Sequence, residues 1–361
     1  MNDAAVDPGP RPTLAGVAKL AGVSASTASL AFSGTGPVSD ATRERVLAAA
    51  AELGYAGPDP RARSLRRGRS GIVGAVLEET LSNAFRDPIN VAMLDGLSEV
   101  AGDADNSLLL LTETGPERSR LVDAPVDAVV LFGCSVRLDD SIDMLRRRGI
   151  PMVAIEGKPT DGVLDIAQDN VEASHALARH LHDLGHRRVA VVTLELGPGR
   201  HIGPIDDARL ASGTTFVTIE RLRGVREVYP DAPAWGTAGS WVDQGRRAGR
   251  ALLDVAPEVR PTAIIAQSDL LAAGVLAAAD ELGLSVPGDV SVVGFDGVRL
   301  DDPRAAHLTT MVQPAVDKGR AAGHAIVQLL AGEPAEPRLF TSRFRAGDTS
   351  GPVPTATVGA R

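Results

Sequence analysis

The chain has 361 residues, too many for one simple hydrophobic core, so its length predicts two or three globular units. Its apolar fraction of 44% and charged fraction of 23% exclude a wholly disordered protein. The single cysteine, Cys134, excludes an intrachain disulfide framework, and no run approaches the roughly 18 apolar residues of a membrane helix. The first twelve residues carry two aspartates and three prolines but no apolar run, so no secretory signal is expected. We expect a cytoplasmic protein that does not contact the membrane.

The net charge of −9 is unevenly distributed. Residues 1–70 contain nine Arg or Lys and six Asp or Glu, a net +3, so the remaining 291 residues carry −12. Five arginines and no acid lie within 61–69. An acidic body with a basic end is expected when that end meets phosphate, and a solvated linker explains the arginines equally well.

The N-terminal segment has the pattern of three short helices. The apolar spacing predicts helices over about 14–20 and 25–33, and a third that ends at Gly54. Gly22 supplies a residue suited to a left-handed helix stop, and Ser24 is a suitable N-cap for the second helix. Two helices joined by a short turn that contains glycine, with a third supporting them, are typical of a helix-turn-helix.

After residue 70 the chain alternates between apolar runs and amphipathic helical stretches. The predicted strands are 72–77, 108–111, 128–132, 152–155, 189–193, 262–266 and 290–295. Such alternation predicts parallel sheets covered on both faces, and the length of this part suggests two similar lobes. Parallel sheets bind ligands at the carboxyl ends of their strands, so we expect a ligand site in the cleft between the lobes.

A series of short motifs occurs in one order along the chain. They are VAKLAGVS at 17–24, STAS at 26–29, VS at 38–39, TR at 42–43, LGY at 53–55, ARSL at 62–65, DN at 169–170, LGHRR at 184–188, RLRG at 221–224, PTA at 261–263, SD at 268–269 and VVGFD at 292–296. In this order and spacing they resemble the LacI/GalR repressor family over roughly residues 13–350.

The resemblance implies an N-terminal all-α helix-turn-helix domain and an α/β sensor domain with two lobes, like a periplasmic binding protein, built on parallel, doubly wound sheets. It implies a sequence-specific transcriptional regulator that acts as a homodimer on double-stranded operator DNA. We expect this regulator to be a repressor. A small sugar-like effector would control operator affinity, with no cofactor or metal. The expected divisions are a disordered segment 1–12, a DNA-binding domain 13–58, a hinge helix 59–70, a sensor and dimerisation domain 71–350 and a disordered tail 351–361.

The resemblance also places the DNA contacts. The expected DNA-binding residues are Thr13, Ser24, Ala25, Ser26, Thr27, Ser29, Leu30, Arg63 and Leu65. The second helix would enter the major groove, and Leu65 would wedge between base steps in the minor groove while Arg63 contacts phosphate. Leu30 departs from the family, which usually has arginine there. Because leucine cannot bind guanine O6 and N7, we predict a half-site without that guanine preference. The alternative is that Leu30 points into the core.

The expected effector-binding residues are Asn83, Phe85, Asp169, Arg221, Asp269, Asp296 and Gln313. A polyol or nucleoside needs planar hydrogen-bonding groups, an arginine fork and an aromatic face, which Phe85 would supply. Asp269 has the alternative role of a helix cap, and Arg221 that of a surface helix residue. The segments 85–96 and 195–215 are longer than is usual in the family and are expected at the cleft mouth.

Two other classes of function compete with this interpretation. An enzyme is not supported, because Cys134 and the seven histidines show no order of nucleophile, base and orienting group. His182 and His186 are four residues apart, a metal-ligand spacing that a polar helix face also explains. A two-lobed sugar-binding protein without a DNA role shares the predicted fold, but the N-terminal module opposes it.

Overall fold

A computed structural model describes residues 12–34, 36–57, 68–113, 119–133, 138–197, 199 and 201–354. The chain divides into two compact units, Met1–Ser70 and Gly71–Arg361. The predicted hinge contacts Arg63 and Leu65 lie outside the described residues. None of the helices in the described part of the chain is by itself long and apolar enough to cross a membrane.

The first unit is a three-helix domain whose helices begin at hydroxyl N-caps. Its helices are α1 (Leu14–Leu20), α2 (Ala25–Ser33) and α3 (Asp40–Glu52). The side chains of Thr13, Ser24 and Ser39 each accept a hydrogen bond from a backbone N–H in the first turn. Helices α1 and α2 meet at 103°, with Gly22 between them at φ +64°. The bounds of both helices and the left-handed Gly22 are as the sequence predicts, and the crossing angle is that of a helix-turn-helix.

The second unit alternates strands and helices. In chain order its elements are β1 (Ile72–Leu77), α4 (Leu81–Ala84), α5 (Pro88–Asp103), β2 (Ser107–Thr112), β3 (Ala128–Phe132), α6 (Asp139–Arg147), β4 (Met152–Ile155), β5 (Leu164–Gln168), α7 (Asn170–Asp183), β6 (Val189–Thr193), β7 (Gly203–Pro204), α8 (Asp207–Ala211), α9 (Phe216–Arg226), β8 (Ala234–Gly236), α10 (Val242–Leu253), β9 (Ala263–Ala266), α11 (Asp269–Glu281), β10 (Ser291–Asp296), β11 (Thr309–Val312), α12 (Ala315–Leu330), β12 (Arg338–Phe340) and β13 (Arg343–Arg345). Each apolar run predicted to be a strand is one.

The strands form two sheets, one in each lobe. The sheet of the first lobe has the order β12-β5-β4-β3-β1-β2 and is parallel throughout. The sheet of the second lobe has the order β13-β11-β10-β9-β6-β8-β7 and is parallel except at its two edge strands. Strands such as β3 and β6 are buried along their whole length because helices cover both faces, which explains their unbroken apolar sequence. The chain passes between the lobes after β5, after β11 and after β12.

Helices α5 and α12 pack in direct backbone contact in the first lobe. A Cβ placed on Gly96 would lie 2.0 Å from the Val316 carbonyl oxygen, and one on Gly319 would lie 2.0 Å from that of Met93. Any larger residue at either position would push the helices apart. The two glycines therefore hold α12 at a fixed distance from α5.

The C-terminal residues 349–354 pack on the second lobe. The Val292 N–H donates to the Thr349 carbonyl at 2.7 Å, and the Val353 N–H donates to the Leu184 carbonyl at 3.0 Å. One ring nitrogen of the fully buried His186 lies 3.0 Å from the Gly351 carbonyl. The sensor unit therefore continues past the predicted boundary at residue 350.

Candidate functional site

The exposed face of α2 is the first candidate site. Ala28 and Ala31 are buried in the core of the three helices, which leaves Ala25, Ser26 and Leu30 exposed. Leu30 is 37% exposed, so it lies at the surface and not in the core. Small side chains in the first turn allow a helix to approach base edges closely, and a surface leucine can contact a thymine methyl.

The second candidate site is a cavity of about 250 Å³ between the two lobes. Its wall includes Glu78 and Glu156, which follow β1 and β4 in the first lobe, and Glu195 and Asp296, at the ends of β6 and β10 in the second. Trp241, which precedes α10, adds an aromatic face. The cavity therefore lies at the carboxyl ends of both sheets, where α/β folds place their ligands.

A buried arginine joins the two lobes beneath this cavity. Arg221 is 3% exposed, and its Nε donates to Asn170 Oδ1 at 2.8 Å. Its Nη1 donates to the Gln267 carbonyl at 2.5 Å and lies 3.5 Å from Asp296 Oδ1. Its Nη2 lies 3.7 Å from Glu156 Oε2 in the first lobe. The guanidinium thus contacts acids from both lobes.

A second buried cation completes the network. Lys318 Nζ donates to Glu156 Oε1 and to Gln313 Oε1. Gln313 Nε2 in turn donates to Asp296 Oδ1 at 2.7 Å, and Asn170 Nδ2 donates to Glu156 Oε2 at 2.9 Å. Glu156 and Asp296 contribute carboxyl groups and Gln313 and Asn170 contribute planar amides, the groups that hydrogen-bond polyols, and all of these except Asn170 line the cavity.

The two buried acids differ in electrostatic environment. Burial opposes ionisation of Glu156, but the charges of Lys318 and Arg221 outweigh it and hold the pKa of Glu156 below its ordinary value. Burial raises the pKa of Asp296 well above its usual range, because Arg221 only partly offsets it and the carboxyls of Asp269 and Asp87 add to it. Of these two acids, Glu156 is therefore a carboxylate that accepts hydrogen bonds, and Asp296 is harder to ionise.

Both acids also have unusual backbone conformations. Glu156 has φ +57° and Asp296 has φ +118°, in the left-handed region that side chains rarely adopt. Glu156 directly follows the buried strand β4 and Asp296 is the last residue of the buried strand β10, and both strands end at the cavity. Strain of this kind persists where surrounding structure over-determines it, and it aims both carboxyls into the network.

Comparison with known proteins identifies the chain. Residues 13–57 match the family model described as bacterial regulatory proteins, lacI family, and residues 178–346 match a periplasmic binding protein-like domain. The HTH-type transcriptional regulator IpsA of Corynebacterium glutamicum is 33% identical over 355 residues, 94% of this chain and 98% of that protein. The chain belongs to the LacI family.

Solved structures agree with this family assignment. A LacI family transcriptional regulator from Corynebacterium glutamicum has a TM-score of 0.70 and 29% identity, over 94% of this chain and 99% of that one. The transcriptional regulator CelR in complex with cellobiose has a TM-score of 0.63 and 28% identity, over 94% of this chain and all of the other. This LacI-family protein is a DNA-binding transcriptional regulator, which excludes the alternative of a sugar-binding protein without a DNA role.

The cavity of this LacI-family regulator contains three of the predicted effector residues. Arg221, Asp296 and Gln313 line it together. Segments 85–96 and 195–215, predicted at the cleft mouth, both contribute to the wall. Arg221 is buried, so it is not the surface helix residue considered as the alternative.

Four predicted effector residues lie elsewhere. Asn83 and Phe85 are outside the described cavity lining, and the Phe85 side chain is 57% exposed. Asp169 accepts hydrogen bonds from the backbone N–H and hydroxyl of Ser342 where the chain passes between the lobes. Asp269 is fully buried behind the site. Its carboxyl accepts from the Thr310 hydroxyl and the Val298 N–H, while Ser268 caps α11, so Asp269 is neither a cap nor in the described lining.

Several residues of the site were not predicted from the sequence, among them Glu156, Asn170, Lys318 and Trp241. Glu156 directly follows a predicted strand, a signal as strong as that for Asp296. Asn170, not Asp169, carries the side chain that reaches Arg221. Lys318 occupies the apolar face of α12, and Trp241 takes the place predicted for Phe85 in the cavity wall.

Two of the predicted DNA-binding residues, Thr13 and Ser24, are the N-caps of α1 and α2. The Thr13 hydroxyl accepts from the Gly16 N–H at 3.2 Å, and the Ser24 hydroxyl accepts from the Thr27 N–H at 3.1 Å. Thr27 and Ser29 are half-buried on α2. Their phosphate contacts remain predictions.

Proposed function

We propose that this regulator binds a small polyol, a sugar or cyclitol, in the interlobe cavity, and that occupancy changes its affinity for operator DNA. The observation that carries the proposal is the cavity itself, with carboxyl and amide groups of both lobes on its floor and Trp241 in its wall. A ligand that bonds to both lobes favours one arrangement of the lobes, which is how binding energy becomes a conformational change. The relative CelR, solved with cellobiose, supports this class of effector.

The proposed effector contacts are assigned by chemistry. Glu156 and Asp296 would hydrogen-bond ring hydroxyls, with Gln313 and Arg221 bonding to further oxygens. The indole of Trp241 would stack on the apolar face of the ring. The volume of about 250 Å³ lies near the lower end of ligand pockets, which favours a ligand of one or two rings. The site is proposed to bind, not to catalyse.

For DNA we propose a homodimeric repressor on a near-palindromic operator, with α2 of each copy in the major groove. Ala25, Ser26 and Leu30 would meet base edges, and Arg63 and Leu65 would complete the contacts from the hinge. Thr13, Ser24, Thr27 and Ser29 are proposed to contact phosphate. Since the proposed target is chromosomal DNA, the proposed compartment is the cytoplasm.

The effector is tested with purified full-length protein. A thermal-shift screen of D-glucose, D-galactose, D-ribose, myo-inositol and cellobiose identifies binders, and duplexes selected from a randomised pool supply the operator. We expect one or more polyols to raise the melting temperature and to change operator affinity by about 5- to 150-fold, the usual range of allosteric coupling. Operator binding should weaken steeply with salt.

A matched pair of variants locates the binding. Trp241→Ala should lose the thermal shift, whereas Val242→Ala, at the adjacent and 39% exposed position, should keep it. The effector proposal fails if none of these polyols shifts the melting temperature or the operator affinity of the wild-type protein. The proposed location of the effector site is wrong if the polyol raises the melting temperature of Trp241→Ala as much as that of the wild type.

A further inference from the structure

Lys318 is a fully buried lysine in the core of the first lobe. It has no exposed surface, and its neighbours on the same face of α12 are Ala315, Ala322 and Ile326. Burying an ammonium among apolar side chains costs free energy unless it is paired and hydrogen-bonded. A leucine or methionine would therefore fill this position at a lower cost in folding free energy. The lysine therefore calls for a role that an apolar side chain cannot fill.

The hydrogen bonds of Lys318 lead to both lobes. Its Nζ donates to the Glu156 carboxylate of the first lobe and to the side-chain carbonyl of Gln313. Gln313 lies where the chain leaves β11 of the second lobe, and its amide donates to Asp296 at 2.7 Å. Glu156, Gln313 and Asp296 are among the described residues lining the cavity, and Lys318 is not. One ammonium behind the cavity thus orients an acid from each lobe.

The backbone that carries Lys318 has little freedom to move. Its neighbour Gly319 packs so closely on α5 that a Cβ there would lie 2.0 Å from the Met93 carbonyl oxygen. Helix α5 in turn supplies Asn90 and Met93 to the cavity wall. The ammonium is therefore held at a fixed place relative to the cavity, as a positioning group must be.

We infer that Lys318 is a positioning residue for the effector site. It does not touch the effector; it holds Glu156 as an oriented hydrogen-bond acceptor and fixes the Gln313 amide against Asp296. The inference rests on the proposed effector site. The two charges act as a unit, so removing either one removes the same preorganised acceptor.

The role has a consequence for pH. Among the described residues, the charged or polar side chains that interact with Glu156 are Lys318 from α12, Arg221 from α9, Asp165 from β5 and Asn170 from α7. Without Lys318, burial opposes ionisation of Glu156 with only the charge of Arg221 and the hydrogen bond from Asn170 to offset it, so the pKa of Glu156 rises. Effector binding should then weaken as pH falls and Glu156 takes up a proton, whereas in the wild type Glu156 stays ionised.

The test compares Lys318→Met, Glu156→Gln and the double variant with Lys158→Met, an exposed lysine two residues from Glu156 in sequence. The probe is whichever of D-glucose, myo-inositol and cellobiose gives the wild type its largest thermal shift. Loss of one charged hydrogen bond predicts binding about ten- to a hundredfold weaker in each single variant. The double variant should be no weaker than the weaker single variant, and Lys158→Met should match the wild type.

The pH profile separates positioning from simple packing. As the pH is lowered through the range in which raised carboxyl pKa values fall, Lys318→Met should lose affinity for the probe more steeply than the wild type, and the double variant should not. Asp165, whose pKa burial raises to about 6, with Glu156 adding to the effect, faces Glu156 in both the wild type and Lys318→Met, so the comparison of these two profiles reports the change at Glu156. The inference is overturned if Lys318→Met binds the probe like the wild type at each pH, or if the double variant regains wild-type affinity.

A measurement without ligand distinguishes this inference from the effector proposal. In urea unfolding, Lys318→Met should lose stability relative to the wild type progressively as pH rises, because an acid with a raised folded pKa favours the fold only below that pKa. Adding Glu156→Gln should remove this dependence. If the difference in stability between Lys318→Met and the wild type does not change with pH, the role of Lys318 is overturned, even if a polyol binds. If the difference grows with pH as expected, the role is supported, even if no polyol binds. If Lys318→Met does not fold, the affinity of the double variant for the probe is the deciding measurement. Weakened binding supports the inference, and wild-type affinity overturns it.

Discussion

Replacing Arg221 with methionine tests the buried network most directly. Methionine keeps most of the side-chain volume but removes the donors to Asn170 and to the Gln267 carbonyl, and the charge facing both acids. The guanidinium also lies 3.7 Å from the centre of the Phe295 ring, a contact that methionine partly preserves.

The magnitude follows from burial. The Arg221 side chain is 4% exposed, and removing one partner from a buried, hydrogen-bonded ion pair costs about 3–5 kcal/mol. The control is Arg223→Met, on the same helix. Arg223 is 59% exposed and pairs with Glu220 at the surface, where such pairs contribute about 0–1 kcal/mol. The difference between the two variants isolates the cost of breaking the buried network.

The assay is urea unfolding followed by circular dichroism, with titrations of polyol and of operator DNA. Arg221→Met should lower the free energy of unfolding by several times the loss in Arg223→Met, at an unchanged m-value. It should abolish the polyol response and retain operator binding, because the three helices proposed to bind DNA form a separate compact unit. Equal stability losses in the two variants would refute the buried-network reasoning, and a retained response would remove Arg221 from the site.

Three further predictions concern packing, pH and DNA. Gly96→Ala should destabilise the protein by about 1–3 kcal/mol or more, since its Cβ would lie 2.0 Å from the Val316 carbonyl oxygen. The control, Gly102→Ala, lies on the same helix and has open space around its Cβ. It should leave the free energy of unfolding unchanged or raise it in the same urea assay. Burial lowers the pKa of His186, so the stability it supports is present above about pH 6.5 and lost below it. His186→Gln should flatten that part of the stability profile, and an unchanged acid limb would contradict the assignment. Leu30→Arg should gain about 1–3 kcal/mol of preference for guanine at one half-site position in duplex selection, and an unaltered consensus would show that residue 30 does not read bases.

Much of this protein could be predicted from its sequence because the signals are local. The hydroxyl N-caps and Gly22 determine where the first two helices begin and end, and the unbroken apolar runs determine the strands, because both depend on residues close in the chain. Arg221, Asp296 and Gln313 were predicted in the cleft from the resemblance to the LacI/GalR family and not from a local pattern.

The tertiary structure alone decided which side chains meet. Asp169 and Asn170 are adjacent in sequence, yet one contacts Ser342 and the other contacts Arg221, since helix α7 begins between them and turns them apart. In the sequence, Lys318 has the pattern of an ordinary helical lysine. In the fold, the ends of β4 and β11 place Glu156 and Gln313, which are 162 and 5 residues away in sequence, beside its ammonium group. Charge pairing across such distances depends on where the strands end in space, a property of the assembled sheets that no short stretch of sequence contains.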